Sequence, residues 1–98
     1  MGDLIQSERQ RILSMVDDER NRQNQLWGFP QRNNLAEWGC ILAEETGELC
    51  KELNDMHFSK GSKERIITEA IQVAAVAVSI IEHMELFITM KEDMKKVR

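Results

Sequence analysis

The sequence predicts an all-α fold: an antiparallel bundle of three long helices plus a short C-terminal helix, completed by oligomerisation. Proline occurs once, at Pro30. No run alternates β-branched or aromatic residues with polar ones at the period of two that a strand needs. Apolar residues instead recur at steps of three and four, the spacing of a helix face. The first helix is predicted over residues 3–25, with Ile5, Ile12, Val16 and Gln23 near one face, Leu26 and Trp27 at its end and polar residues elsewhere. Gly28-Phe29-Pro30 stops it, because proline lacks an N–H and disfavours the α conformation in the residue before it. The second helix starts after Asn34, whose side chain can accept from the Glu37 amide while Glu37 reaches back, and runs to about residue 56. Residues 57–62 read as a connector in which Gly61 is free to take a positive φ and Ser62 caps the third helix. That helix is expected over 63–87. Thr89 with Glu92 three residues on suggests a fresh start for a fourth, on which Met90, Met94 and Val97 form an apolar strip.

At 98 residues the chain is expected to be a single domain over 1–98. A domain this small buries only about 60–65% of its unfolded surface, so a second copy covering its apolar faces is expected. The formal net charge of −4 gives no broad attraction for nucleic acid or an anionic membrane, and neither is expected as a partner. The longest unbroken apolar stretch, residues 73–78, is far short of the ~20 residues of a membrane span. The N-terminal residues have no signal-like apolar core, so a cytoplasmic location is expected. Cys40 and Cys50, ten residues apart on one helix, would lie about 15 Å apart and cannot bridge, so they read as reduced thiols.

The informative residues are carboxylates phased inward. On the second helix Leu35, Trp38, Leu42, Leu49, Leu53 and Met56 define the stripe expected to be buried, and a 100° projection puts Glu45 inside it, with Glu48 and Glu52 along its border. Glu44 and Glu37 lie off its centre. The third helix is apolar nearly all round from 73 to 81, Ser79 excepted, so it is expected to be the central one. On it Glu69 shares a side with Val73, Val76, Ile80 and Phe87, and Gln72 sits one turn on, so that two inward polar pairs face each other. Burying several carboxylates without compensation costs several kcal/mol each. A hard divalent cation removes that penalty, and oxygen-only ligands select Mg²⁺, Mn²⁺ or Ca²⁺ over zinc. A di-iron bundle needs Glu-x-x-His, and neither His57 nor His83 has a Glu three residues before it. The histidines therefore carry no chemistry legible from spacing.

Glu44-Glu45-Thr46-Gly47-Glu48-Leu49, followed by Glu69-Ala70-Ile71-Gln72, resembles the E-E-x-G-E-L … E-x-x-D signature of MazG-like nucleoside triphosphate pyrophosphohydrolases of the all-α NTP pyrophosphatase superfamily. The segments Glu19-Arg20-Asn21-Arg22-Gln23, Trp27-Gly28 and residues 72–78 are similar to its small phage and bacterial branch, and the likeness covers about residues 18–84. The resemblance implies a homodimer or homotetramer that uses Mg²⁺, with Mn²⁺ as a substitute, to cleave a (d)NTP to the monophosphate and pyrophosphate in nucleotide-pool housekeeping. Glu45, Glu48 and Glu69 match metal ligands, and Glu44 matches the neighbouring Glu that binds a further metal or orients the attacking water. Gln72 stands where the fuller signature has Asp, a neutral carbonyl in place of a charged ligand. Trp27 and Trp38 are candidates to stack on a base, Gln23 to contact base or sugar, and Lys51 to reach a phosphate on an adjoining subunit. Two other classes fit the same residues: a catalytically weak nucleotide- or metal-binding relative, and a structural oligomerisation module whose inward Glu residues pair with Arg or Lys.

Overall fold

Each helix boundary arises from a local signal. The structure is a computed structural model that describes the backbone of residues 2–97 and the side chains of residues 2–87. It contains α1 (Gly2–Trp27), α2 (Leu35–His57) and α3 (Lys63–Val97), with no strand among the described residues. Gly28 ends α1 with φ 81° while its N–H donates to the Asn24 carbonyl at 2.8 Å, the left-handed cap that glycine adopts without strain. The capping box at the start of α2 forms as expected. Glu37 N–H donates to Asn34 Oδ1 at 2.8 Å, and Asn34 N–H donates to Glu37 Oε1 at 3.1 Å.

The connector differs from expectation in which residue makes the turn. Ser59, not Gly61, takes the positive φ, 63°. Ser59 N–H then donates to the Met56 carbonyl and Lys60 N–H to that of Asp55, the paired bonds of a Schellman cap. Gly61 serves a different need, close approach: a Cβ there would lie 2.7 Å from the Met56 nitrogen. Ser62 caps α3 as expected, its Oγ accepting from Arg65 N–H at 3.2 Å.

The separate fourth helix gives way to a longer third, since α3 runs without a break from Lys63 to Val97. No Gly or Pro interrupts the chain near Thr89, and a Thr inside a helix costs only a few tenths of a kcal/mol more than a strong helix former. The strip Met90, Met94 and Val97 lies outside the residues whose side chains are described. As expected, α3 is central: α1 and α2 each pack against it and not against one another.

This leaves an open molecule. Its radius of gyration is 16.9 Å, against about 13 Å for a compact chain of this length. Among the described residues the buried apolar side chains are Val16, Trp38, Ala75 and Val76. Of the stripe expected to be buried on α2, Trp38 is buried and Leu42 and Leu49 are half-buried, whereas Leu35, Leu53 and Met56 are exposed. The stripe is wider than the single face α3 presents to it. By length and composition Lys63–Phe87 is also apolar enough to cross a membrane, with mean hydropathy 1.5, a property that counting unbroken apolar runs overlooks. The same segment holds Glu69, Gln72, Glu82 and His83, each turned to a polar partner or a like charge on α1, α2 or the 28–34 connector.

Candidate metal centre and its adjoining pocket

Packing of α2 on α3 brings the two predicted polar pairs together. One carboxylate oxygen from each of Glu45, Glu48 and Glu69 lies within 4.8 Å of the others; Glu45 and Glu69 are half-buried and Glu48 is exposed. Gln72 joins them. Oriented by its hydrogen bonding, its amide nitrogen donates to Glu45 Oε2 at 3.3 Å and to Glu69 Oε2 at 3.0 Å. The resemblance implies an oxygen ligand at Gln72, but here its nitrogen faces the cluster, and ligation requires the amide to turn.

The carboxylates of the cluster repel one another. Burial, and then the carboxylates of Glu48, Glu69, Glu19 and Glu44, push the Glu45 carboxyl above the usual range. Burial raises Glu69 in the same way, followed by Glu48 and Glu52. Glu52, on the border of the stripe, has a buried Oε2 with no hydrogen-bond partner. The carboxylate donors are all oxygen, carry net negative charge and converge on one point, which is the ligand chemistry of a hard divalent cation. Of three oxygens on one cation at most one pair can be opposite, roughly 4.2 Å apart across Mg²⁺ or about 5 Å across Ca²⁺, while adjacent ligands lie about 3–3.4 Å apart, so oxygens spread over as much as 4.8 Å would have to draw together to share one ion.

A pocket of about 670 Å³ opens beside the cluster, with Glu45, Gln72, Gln23, Trp27 and Trp38 among the residues that line it. Glu44 is exposed and lines this pocket without joining the three-carboxylate group. Trp38 is 4% exposed and Trp27 62%, so the first is a fixed wall and the second an open rim. Gln23 reaches the pocket with both polar atoms engaged, its Oε1 accepting from Arg20 at 3.0 Å and its Nε2 donating to Glu19 at 3.3 Å. Lys51 does not reach the pocket within the chain: it is exposed and paired with Asp55 at 2.8 Å.

Several residues at the site were not legible from spacing. Arg22, bonded twice to Glu19 at 2.8 Å, also interacts electrostatically with Glu45, and the Glu19 carboxyl is held below its usual range chiefly by the Arg22 bond. Gln31, Arg32 and Asn33 line the pocket from the connector between α1 and α2. Their signal was a polar triplet confined between Pro30 and the Asn34 cap. Arg20, which the sequence offered only within the segment 19–23, and His83, which fitted no metal pattern, are both buried. Comparisons with protein-family models, curated proteins and solved structures return no match. The chemistry of the site itself is therefore the starting point for a functional reading.

Proposed function

We propose that the chain is a Mg²⁺-dependent nucleoside triphosphate pyrophosphohydrolase of the MazG-like kind, cleaving a (d)NTP to its monophosphate and pyrophosphate. The observation that carries the reading is the juxtaposition of a three-carboxylate cluster with a pocket walled by two indoles and supplied with Arg22 and Arg32. Triphosphate hydrolysis calls for this combination: charge neutralisation for the phosphates and an aromatic surface for the base. Bound Mg²⁺ would neutralise phosphate charge and lower the pKa of a bound water. Glu45, Glu48 and Glu69 would hold it, Glu44 would orient the attacking water from the pocket wall, and Trp27 and Trp38 would fix the base. Arg22, already poised beside Glu19, would turn to the phosphate oxygens, a planar fork suited to that geometry. The exposed apolar residues of α1, α2 and α3, among them Leu13, Leu35, Leu53 and Ile81, support a homo-oligomer as the working form, because a single chain leaves them in water.

The test is pyrophosphate release from a panel of canonical and modified (d)NTPs with Mg²⁺, Mn²⁺ or EDTA. Release that requires metal and is lost in Glu45→Ala establishes the enzyme; metal-independent release, or full activity of a Glu45→Ala/Glu69→Ala double variant, overturns it. One observation favours a second reading, a binding relative with weakened catalysis: at Gln72 a neutral amide that donates to Glu45 and Glu69 stands where the fuller signature has a charged ligand. Silence in the wild type with activity gained in Gln72→Asp would select that reading.

A further inference from the structure

His83 is 6% exposed and both ring nitrogens are committed. Nδ1 lies 2.6 Å from the Ser79 carbonyl oxygen. A carbonyl only accepts, so Nδ1 carries the proton. Nε2 is 2.9 Å from the Gln31 backbone nitrogen, whose N–H donates to it, so Nε2 holds the lone pair. The two contacts fix one tautomer, neutral and Nδ1-protonated. The ring is also gripped on two sides, with Phe29 edge-on and Trp38 tilted against it, each at a centroid distance of 4.9 Å.

These contacts join three parts of the molecule at one side chain. Phe29 and Gln31 belong to the connector that lines the pocket, Trp38 is the pocket's buried wall on α2, and His83 itself is on α3. The connector has no regular secondary structure, so its position depends on what its backbone bonds to. Its other hydrogen bonds among the described residues are local: Asn33 to Gln31 within it, and the caps at its two ends. The Gln31–His83 bond is the one that reaches another helix.

We propose that His83 is a positioning residue: through the Gln31 N–H it holds the connector so that Gln31, Arg32 and Asn33 face the pocket, and it thereby sets the affinity for the nucleoside part of the triphosphate. The ligand half of this statement rests on the pyrophosphohydrolase reading; the loop-holding half does not. Among the described residues His83 makes no hydrogen bond to Glu45, Glu48 or Glu69, so it acts on nucleotide binding and leaves the cation site alone.

The experiment compares wild type with His83→Phe, which keeps a ring between Phe29 and Trp38 but has no acceptor, and His83→Gln, whose carbonyl oxygen can stand near the place of Nε2. His83→Asn, too short to reach Gln31 but able to donate to Ser79, replaces the Phe variant should that one fail to fold. Without ligand, nitrogen-15 spectra report the tautomer of His83, and hydrogen exchange reports the Gln31 amide. With ligand, titrations use Mn²⁺ alone and then a (d)NTP panel in Mg²⁺. The expected result is an Nδ1–H tautomer, Gln31 exchange at least tenfold faster in His83→Phe, nucleotide Kd and KM raised about tenfold, and Mn²⁺ affinity unchanged, with His83→Gln restoring both. An Nε2–H tautomer, or unchanged Gln31 exchange in the Phe and Asn variants, overturns the proposal. Loss of Mn²⁺ affinity in step with nucleotide affinity also overturns it, since that is general damage. A wild type that binds no triphosphate sinks the pocket's assignment, and Gln31 exchange then decides the role of His83 by itself.

Discussion

The α1–α3 interface and the α2–α3 interface both bury polar side chains, yet they do so in opposite ways. Between α1 and α3, Arg20 is 4% exposed and each of its three guanidinium nitrogens has an acceptor. Nε donates to Glu82 at 2.7 Å, and the two terminal nitrogens donate to Gln23 at 3.0 Å and Asn24 at 2.9 Å. Between α2 and α3, carboxylates face carboxylates, the carboxyls of Glu45 and Glu69 are pushed up, and Glu52 keeps a buried oxygen without a partner. A satisfied buried network fixes how helices meet, whereas carboxylates crowded together repel one another and hold their protons more tightly than usual. The first interface reads as architecture and the second as a candidate site.

The sharpest way to break this contrast is to remove a carboxylate. Glu45→Ala or Glu69→Ala should bring metal-dependent pyrophosphate release down to background while the fold, monitored by circular dichroism, persists. Arg20→Ala should do the reverse. Losing a buried charge-assisted network costs about 2–3 kcal/mol, visible as a lower urea midpoint, with any surviving folded protein still binding Mn²⁺.

A smaller effect comes from pH. Because folding raises the carboxyls of Glu45 and Glu69, the metal-free native state binds protons that the unfolded chain has already released. Stability should therefore fall as pH rises from the ordinary carboxylate range through the raised values, with the full penalty present above them. Glu19, lowered by Arg22, acts with the opposite sign: its contribution is present above the ordinary carboxylate value and is lost as pH falls through its own lowered one. Millimolar Mg²⁺ or Ca²⁺ should abolish the penalty at neutral pH, since cation binding to the native state alone adds stability by mass action. Melting curves from about pH 4.5 to about 7.5, spanning the ordinary and the raised carboxylate ranges, check this with and without the cation. A metal-free protein that grows steadily more stable across that whole range would contradict it.

Glu45→Gln should raise the melting temperature of the metal-free protein at neutral pH. About half a kcal/mol of relieved repulsion moves a domain of this size by roughly 2–4 °C. In the presence of cation the same substitution should lower it. The smallest effect belongs to Lys51→Ala, which touches only an exposed pair with Asp55 and should leave the metal-free melting temperature unchanged. A loss of nucleotide affinity in that variant would show that Lys51 acts across a subunit boundary.

Helix periodicity and caps were legible because they depend on residues three or four apart: Asn34 with Glu37, Ser62 with Arg65, and the Glu45–Glu48 and Glu69–Gln72 pairs are all set by the pitch of one helix. The turn at Ser59 was not, because Gly61 was needed for closeness to Met56 and not for its φ. Nor was the unbroken α3, where a favourable capping pattern at Thr89 competed with continuation and lost. His83 was invisible for another reason. Its partners, Gln31, Phe29 and Trp38, lie 45 to 54 positions away in the chain, and no spacing rule connects them.

By itself the sequence determined the class of fold and which carboxylates share a helix face, since helix pitch is a local property. Only the tertiary structure decided that Gln72 turns its nitrogen to the cluster, that Arg20 is tied into the fold through Glu82, Gln23 and Asn24, and that a histidine on α3 bonds to the connector of the pocket. Each of these depends on which distant groups are brought within about 3 Å of one another, and hydrogen bonding is decided at that range.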